Sequence, residues 1–343
     1  MLIDQFDREI DYLRISVTDR CNLHCIYCVG RKISFYPRQE ILTYEEIFEI
    51  IKIAQELGIK KFRITGGEPL LRSGLLNFLK KLANAKINYS LTTNGLLLKK
   101  YAKDLRQVGL ESINISLDTL EKNKFAKITG EDILPEIFRG IDEVEKVGFS
   151  PIKINVVVMN GINENEIENF ITFFGQRKNF LIRFIEYMPF ERSASDYFFP
   201  LSGIEEKIKI NPQTFTKTKI EGAGPARYYQ IGQTLVGFIT PRSQPFCHYC
   251  NRLRLTSDGK LKPCLVSPIS YDLKEILRAS SAMPPRQVAE EETGYRRGDR
   301  SSANQESNKS ISQEIKRIFK QAVQTKPEGH NFHFLGEMIK IGG

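Results

Sequence analysis

Long apolar runs are missing from the 343 residues of this sequence, and this absence narrows the kinds of protein it can encode. No stretch approaches the roughly 20 consecutive apolar residues of a membrane span, so we expect no membrane association. The first residues include Asp4, Asp7, Arg8 and Glu9 rather than the apolar run of a signal peptide, and we expect a cytoplasmic protein. Tryptophan is absent too, but hydrophobic residues make up 41% of the chain, which is typical of a globular protein.

Cysteine is absent from most of the chain. All six cysteines lie in two groups, three between residues 21 and 28 and three between residues 247 and 264. A small secreted protein uses such a number for disulfides, whereas a long chain without a signal peptide uses it for metal or redox chemistry. The six residues are therefore candidate metal ligands.

Acidic residues are fewer than basic ones, which leaves a formal net charge of +9. This surplus fits solvated lysines, nucleic acid, an anionic membrane surface or a polyanionic small substrate, and charge alone does not choose among them. The location of the basic residues is more informative, because several of them lie in the motifs described below.

The first two-thirds of the chain alternate between strand and helix patterns. Thr43 and Glu46 form a capping box that begins one helix, and Gly58 ends it. Six strand–helix repeats predict an α/β fold with a parallel sheet, either an open doubly wound sheet or an incomplete (β/α) barrel. The predicted strands are 12–17, 61–65, 88–92, 112–117, 153–158 and 181–187, and the other helices are 73–82, 97–108, 134–147 and 164–174.

Polar and glycine-rich residues follow three of these strands. They form Gly66-Gly67-Glu68-Pro69, Thr92-Thr93-Asn94-Gly95 and Ser116-Leu117-Asp118. Ordinary βα turns explain one or two such residues, but not three groups after successive strands. Because sites in both architectures lie at the carboxyl ends of strands, we expect a functional site there.

The pattern changes near residue 200, which divides the predicted barrel, 1–200, from a smaller C-terminal extension, 201–343. Short strands with turn signals predict a mostly antiparallel arrangement at 228–231, 235–240, 253–256 and 260–265. Residues 279–310 are rich in Ser, Glu, Arg and Ala, and we expect a disordered insert there, followed by a helix at 311–322.

The first cysteine group, Cys21, Cys25 and Cys28, has the spacing CxxxCxxC and is called the first triad below. Three thiolates this close can hold a [4Fe–4S] cluster and leave its fourth iron without a protein ligand. An open metal position is where a substrate or cofactor binds. The alternatives are a zinc site, for which His24 could supply the fourth ligand, and three unligated thiols, which would be prone to oxidation.

The second cysteine group, Cys247, Cys250 and Cys264, is called the second triad below, and basic residues lie between its second and third cysteines. Arg252 and Arg254 lie two positions apart on a predicted strand and therefore on one face, where guanidinium groups suit phosphate oxygens. The alternatives are a zinc site, with His248 or a distant residue as the fourth ligand, and a solvated arginine pair that pairs with acidic neighbours.

Two motifs together resemble a known superfamily. CxxxCxxC with Tyr27 before its last cysteine, and the later Gly66-Gly67-Glu68-Pro69, are similar to the signatures of radical-SAM enzymes. The resemblance implies that the first triad holds a [4Fe–4S] cluster that binds S-adenosylmethionine (SAM). It also implies an incomplete (β/α)6 TIM-type barrel, with a smaller α+β C-terminal extension that carries a second cluster.

Further motifs resemble the GTP 3′,8-cyclase family of these enzymes. They are Leu13-Arg-Ile-Ser-Val-Thr-Asp-Arg-Cys21, Gly222-Ala-Gly-Pro-Ala-Arg227-Tyr-Tyr229, Phe246-Cys-His-Tyr-Cys-Asn-Arg-Leu-Arg-Leu-Thr-Ser-Asp-Gly-Lys-Leu-Lys-Pro-Cys264 and the terminal Gly342-Gly343. The resemblance implies radical-SAM cyclisation of GTP to (8S)-3′,8-cyclo-7,8-dihydroguanosine 5′-triphosphate, the first step of molybdenum cofactor biosynthesis. The segment 279–310 departs from the family, which has a continuous helical tail there.

The resemblance also implies a role for each matching residue. Two [4Fe–4S] clusters are held by the two triads, and the first triad, Arg252 and Arg254 are catalytic. SAM contacts are expected at Tyr27, Gly67, Ser116 and Met188, and GTP contacts at Arg14, Arg63, Thr92, Lys153, Arg252 and Arg254.

The expected partners are a flavodoxin- or ferredoxin-like reductant and a downstream cyclic pyranopterin monophosphate synthase, with a homodimer as one assembly and no nucleic acid. Two alternative functions stay open, another radical-SAM enzyme with an auxiliary cluster and a zinc-containing nucleic-acid-binding protein.

Overall fold

One mixed sheet organises the chain. The computed structural model describes residues 1–28, 35–189, 197–204, 208, 216–218, 224–231, 234–279 and 300–329, and the strands within them form the order β12-β11-β10-β1-β2-β3-β4-β5-β6-β9-β8-β7. The strands are β1 (Tyr12–Ser16), β2 (Lys61–Thr65), β3 (Tyr89–Thr93), β4 (Ile113–Ser116), β5 (Ile152–Val158), β6 (Phe180–Glu186), β7 (Thr216–Thr218), β8 (Arg227–Ile231), β9 (Thr234–Ile239), β10 (Arg252–Leu255), β11 (Lys260–Lys262) and β12 (Tyr271–Asp272).

Strands β1 to β6 are parallel neighbours joined by helices, which confirms the predicted α/β fold. Each predicted strand and helix in this part of the chain is present within a few residues of its expected bounds, whereas helix α4 was not predicted. The helices of the described chain are α1 (Tyr44–Glu56), α2 (Leu75–Asn84), α3 (Leu98–Gln107), α4 (Lys122–Thr129), α5 (Leu134–Lys146), α6 (Ile167–Gly175), α7 (Leu273–Ala279) and α8 (Arg300–Gln324).

Helix α1 shows that local sequence signals were sufficient to predict where a helix begins and ends. The Thr43 side chain accepts a hydrogen bond from the backbone N–H of Glu46, and the Glu46 carboxylate accepts one from the backbone N–H of Thr43, as the capping box predicts. Gly58, just beyond the end of the helix, has a φ of +99°, which glycine adopts without strain. The apolar face of α1 is buried against the sheet through Ile47 and Ile51.

The C-terminal extension continues the barrel sheet at both of its edges. Strand β10 pairs with β1 and β9 pairs with β6, both in parallel, while β11, β12, β8 and β7 add antiparallel pairs outside them. Pairing covers edge strands that would otherwise expose unsatisfied backbone groups. This arrangement places Arg252 beside Tyr12 and Arg254 beside Arg14.

The segment predicted to be a disordered insert is partly helical. Residues 300–310 belong to α8, whose described sequence contains neither glycine nor proline, so nothing in it interrupts the helix. The helix is anchored by the buried side chains of Ile315 and Phe319. Residues 280–299, like Gly342 and Gly343, lie outside the described residues. None of the helices in the described part of the chain is long and apolar enough to cross a membrane.

Candidate active site

A cavity of about 500 Å³ lies inside the curved sheet and at the carboxyl ends of its strands. The sixteen residues predicted from the sequence to bind clusters, SAM or GTP all line this cavity. They are Cys21, Cys25, Cys28, Cys247, Cys250, Cys264, Tyr27, Gly67, Ser116, Met188, Arg14, Arg63, Thr92, Lys153, Arg252 and Arg254. The two triads, 219 positions apart from Cys28 to Cys247, thus share one cavity.

The first triad lies on the loop after β1, and backbone hydrogen bonds fix this loop against α4. His24 N donates to Thr129 O at 2.9 Å and Ile26 N donates to Ile128 O at 2.9 Å. The three cysteines form no disulfide. The His24 side chain is exposed and does not line the cavity, which gives no support to His24 as a zinc ligand.

The chemistry of the first triad fits a cluster. Burial and, after it, the neighbouring Cys21 and Asp118 together raise the pKa of Cys28 to about 12. Burial also raises the pKa of Cys25 well above its usual value. Such thiols become thiolates when a metal supplies the opposing positive charge. A [4Fe–4S] cube takes its thiolates at separate corners, one on each of three irons.

The Gly66-Gly67-Glu68-Pro69 motif lies directly against the chain that leads into the first triad. Gly67 N donates to Thr18 O at 2.7 Å, and Glu68 N donates to Arg20 O at 2.8 Å. A Cβ on Gly67 would lie 2.3 Å from Arg20 O, closer than real contacts allow. Glycine is therefore required here for the close approach of two backbones, and not for an unusual φ.

Glu68 connects this motif to the loop after β3. Its buried carboxylate accepts hydrogen bonds from Thr93 Oγ1 at 2.8 Å and from Asn94 N at 2.7 Å. Burial raises the Glu68 pKa to about 7, although these hydrogen bonds oppose the shift. The Asn94 side chain then faces the first triad, with Nδ2 at 2.8 Å from Asn22 Oδ1 and 3.8 Å from Cys21 Sγ.

Asp118 plays a similar positioning role on the other side of the triad. Its Oδ2 accepts a hydrogen bond from Tyr27 Oη at 2.6 Å, and its Oδ1 accepts one from Val157 N at 2.8 Å. Burial raises the pKa of Asp118 to about 6. These bonds hold Tyr27 at the cavity wall between the ends of β4 and β5, where Ser116 also lies.

The second triad is assembled from three short backbone segments, one at Cys247, one at Cys250 and Arg252, and one at Cys264. Cys247 and Cys250 lie in and after a short 3-10 helix, and Cys264 follows β11. Burial raises the Cys250 pKa, but the positive charges of Arg252 and Lys326 outweigh this and lower it to about 6. His248 packs edge-on against Tyr249, with ring centroids 4.4 Å apart, and does not line the cavity, which gives no support to His248 as a zinc ligand.

A wall of cations lies between the triads because the strands that carry them are in register. Arg14 of β1 is level with Arg63 of β2 and with Arg254 of β10. Burial and the neighbouring Arg254 lower the pKa of Arg14 well below its usual value, and burial and Arg252 lower that of Arg254 to about 10. Since clustered buried cations repel one another, this wall is suited to a polyanionic ligand.

Among the cavity residues that the sequence reading missed are Arg183 and Tyr12. Arg183 of β6 is 8% exposed, and it donates from Nη2 to Asn114 Oδ1 at 2.5 Å and from Nε to Asn155 Oδ1 at 2.8 Å. Tyr12 accepts a hydrogen bond from Arg63 Nε and lines the same cavity. The available signal for Arg183 was a charged residue in the middle of the strand Phe180–Glu186, which is otherwise apolar up to its last residue, Glu186.

Comparisons with known proteins match two successive parts of the chain to two families. Residues 15–174 match the Radical SAM superfamily, and residues 180–293 match the family described as Molybdenum Cofactor Synthesis C. Among solved structures, Streptococcus suis SuiB bound to a precursor peptide is similar with a TM-score of 0.60 and 17% identity. That match covers 77% of this chain and 62% of SuiB. Because the sequence identity is low, the match supports the fold alone.

Curated relatives are much more similar. A GTP 3′,8-cyclase of Thermodesulfovibrio yellowstonii is 46% identical over 81% of this chain and 89% of its own length. The GTP 3′,8-cyclase of Petrotoga mobilis is 39% identical over 97% of this chain and 95% of its own length. That of Nautilia profundicola is 42% identical over 85% and 92% of the two chains. The chain therefore belongs to the GTP 3′,8-cyclase family of radical-SAM enzymes.

Proposed function

We propose that this enzyme converts GTP to (8S)-3′,8-cyclo-7,8-dihydroguanosine 5′-triphosphate, the first step of molybdenum cofactor biosynthesis. The observation that carries the proposal is one cavity lined by two cysteine triads with a wall of arginines and lysines between them. Family membership and the shared cavity both support this proposal.

The first triad and its surroundings are the proposed site of radical formation. Its thiols would hold a [4Fe–4S] cluster with one iron left open for SAM, and with SAM bound this group supplies a 5′-deoxyadenosyl radical that removes hydrogen from C3′ of GTP. Gly67, Ser116 and Met188 line this part of the cavity together with Tyr27, whose hydroxyl Asp118 holds in place. These four residues are the proposed SAM contacts.

The cation wall is the proposed triphosphate site. A triphosphate carries a charge of about −4, and bidentate arginine contacts recognise its oxygens. Strand pairing places Arg14, Arg63 and Arg254 side by side, so one ligand can contact all three. Thr92 and Lys153 lie further along the sheet and complete the proposed GTP contacts with Arg252. Such clamping fixes the substrate relative to the radical source.

The second triad would hold the second [4Fe–4S] cluster, whose open iron is the proposed binding point for the guanine. The pKa of Cys250, about 6, favours the thiolate that such a cluster requires. Arg252 and Arg254 lie on strand β10, which begins two residues after Cys250. The base and the triphosphate would therefore be bound by neighbouring residues. The barrel contributes placement and the exclusion of water and oxygen from the radical.

The proposal includes partners of defined chemistry. Reduction of the first cluster calls for a flavodoxin- or ferredoxin-like electron donor, and the product would pass to a cyclic pyranopterin monophosphate synthase. A homodimer, a cytoplasmic location and the absence of nucleic-acid binding are further parts of the same proposal.

The proposal is tested with protein that is purified and assayed in the absence of oxygen. Purified protein should contain about eight irons per chain, and with SAM, dithionite and GTP it should form 5′-deoxyadenosine while GTP is consumed. EPR spectra before and after GTP addition should differ if GTP binds at a cluster. A Cys247→Ser variant is the matched control, because it should retain about four irons and SAM cleavage but lose GTP conversion.

Three results would contradict the proposal. Zinc in place of iron, with a steep salt dependence of DNA or RNA binding, would indicate a nucleic-acid-binding protein. Formation of 5′-deoxyadenosine without GTP consumption would indicate a radical-SAM enzyme with another substrate, such as a peptide. Full GTP conversion by Cys247→Ser would show that the second triad is not needed.

A further inference from the structure

We infer that two buried cations, Arg8 and Lys326, are positioning residues that hold the three backbone segments of the second triad in place for its cluster. The two residues, called the cation pair below, are 318 positions apart in sequence and donate hydrogen bonds to backbone carbonyl groups of the triad and of its chain neighbours. The inference rests on the proposed second cluster and adds what assembles it.

Arg8 holds the segment that contains Cys247. Its Nη1 donates to the carbonyl oxygen of Cys247 at 2.6 Å, and its Nε is paired with the buried carboxylate of Asp4 at 2.6 Å. Asp4 also accepts from the backbone N–H of Arg8 at 3.0 Å, so the short N-terminal turn presents the guanidinium in one orientation. Arg8 is 5% exposed, and such a buried charge is retained only where its contacts offset the loss of solvation.

Lys326 joins the other two segments of the triad. Its Nζ donates to Arg252 O at 2.7 Å and to Pro263 O at 2.8 Å. Arg252 follows Cys250 by two residues, and Pro263 directly precedes Cys264. One ammonium group therefore ties together the segments that must converge for both cysteines to bind one cluster.

The two cations are also connected to each other. Arg8 Nη2 donates to Pro327 O at 2.8 Å, and its Nη1 lies 3.3 Å from Glu328 O. The residues directly after Lys326 are therefore held by Arg8, and the cation pair acts as one unit around the triad.

The buried charge of Lys326 indicates that the cation pair stabilises a bound cluster as well as the fold. The residue is 2% exposed, and no carboxylate of the described chain lies within salt-bridge distance of its Nζ. Cys250 and Cys264 are close enough to Lys326 to act on it electrostatically. Three thiolates on a cluster supply the negative charge that a buried ammonium requires.

The experiment counts iron on the second triad alone. In a full-length C21A/C25A/C28A protein every cluster iron belongs to Cys247, Cys250 and Cys264, and anaerobic reconstitution should give about four irons per chain. In that protein Lys326→Met and Arg8→Met should each weaken iron retention against a chelator about tenfold or more. Arg278→Met is the matched control, since Arg278 also donates to backbone carbonyls, those of Gln39 and Ile41, but does not touch the triad.

A second measurement separates positioning from folding. With the first triad intact, Lys326→Met should still cleave SAM with dithionite, because the first cluster lies on other segments. Iron retention equal to that of the parent, an equal loss in Arg278→Met, or a loss of SAM cleavage in Lys326→Met would each overturn the inference. A parent that binds no iron would refute the proposed second cluster itself, and the cation pair's role with it.

Discussion

Lys153 is expected to lower the stability of the ligand-free protein, and replacing it should reveal the cost of the triphosphate site. Burial and, after it, the nearby positive charges of Arg183, Arg63 and Lys61 together lower its pKa from 10.5 to about 8. The folded chain therefore binds a proton at Lys153 less tightly than the unfolded chain does. It follows that the free energy of unfolding falls as the pH decreases from about 10.5 to about 8, and stays low below that.

The size of the effect follows from the same shift. One pKa unit corresponds to about 1.4 kcal/mol, so the shift from 10.5 to about 8 sets an upper limit of roughly 3 kcal/mol. Lys153 is partly exposed, and solvent screening reduces the expected value to about 1–2 kcal/mol. Lys153→Met keeps most of the side chain and removes the charge. It should raise the free energy of unfolding by this amount at pH 7 and by much less near pH 10.

The assay is denaturant unfolding of the ligand-free wild type and variant at pH 7, 8, 9 and 10, with GTP binding measured at pH 7. Other titrating groups are the same in both proteins and cancel in the difference. GTP binding by Lys153→Met should be about 10–100-fold weaker, as expected for one lost charge-assisted contact. Lys52→Met, on the exposed face of α1, is the control and should change stability by less than about 0.5 kcal/mol. A variant less stable than wild type at pH 7, or a difference independent of pH, would refute the reasoning.

Three further substitutions separate the parts of the site. Arg254→Ala should weaken GTP use about 10–100-fold while SAM cleavage by dithionite continues; loss of both would contradict the division between the two triads. Gly67→Ala should abolish SAM cleavage because its Cβ would lie 2.3 Å from Arg20 O. An unchanged rate of 5′-deoxyadenosine formation would contradict this, since it would show that the backbone can move to accommodate the methyl group. Asn94→Ala should slow SAM cleavage about 3–10-fold through loss of its hydrogen bonds to Asn22 and Cys21, which single-turnover assays can measure against the unchanged iron content.

Local pattern was enough for most of the fold. The capping box at Thr43, the glycine at Gly58 and the alternation of apolar residues in each strand act over a few residues, so they can be read without knowing what the chain contacts elsewhere. Helix α4 was missed because its eight residues carry a weak pattern between two turns. Residues 300–310 were assigned to an insert from composition, whereas α8 extends through them from its buried C-terminal half.

The sequence by itself determined the two triads, the Gly66-Gly67-Glu68-Pro69 motif and the pairing of Arg252 with Arg254, because ligand spacing and side-chain alternation are local properties. Only the tertiary structure decided that these groups share one cavity. The parallel pairing of β10 with β1 joins residues about 240 positions apart, and no periodicity records such a contact. The same long-range packing brings Arg8 and Lys326 to the second triad. A lone arginine or lysine has no local signal, since its role is set by the groups that surround it after folding.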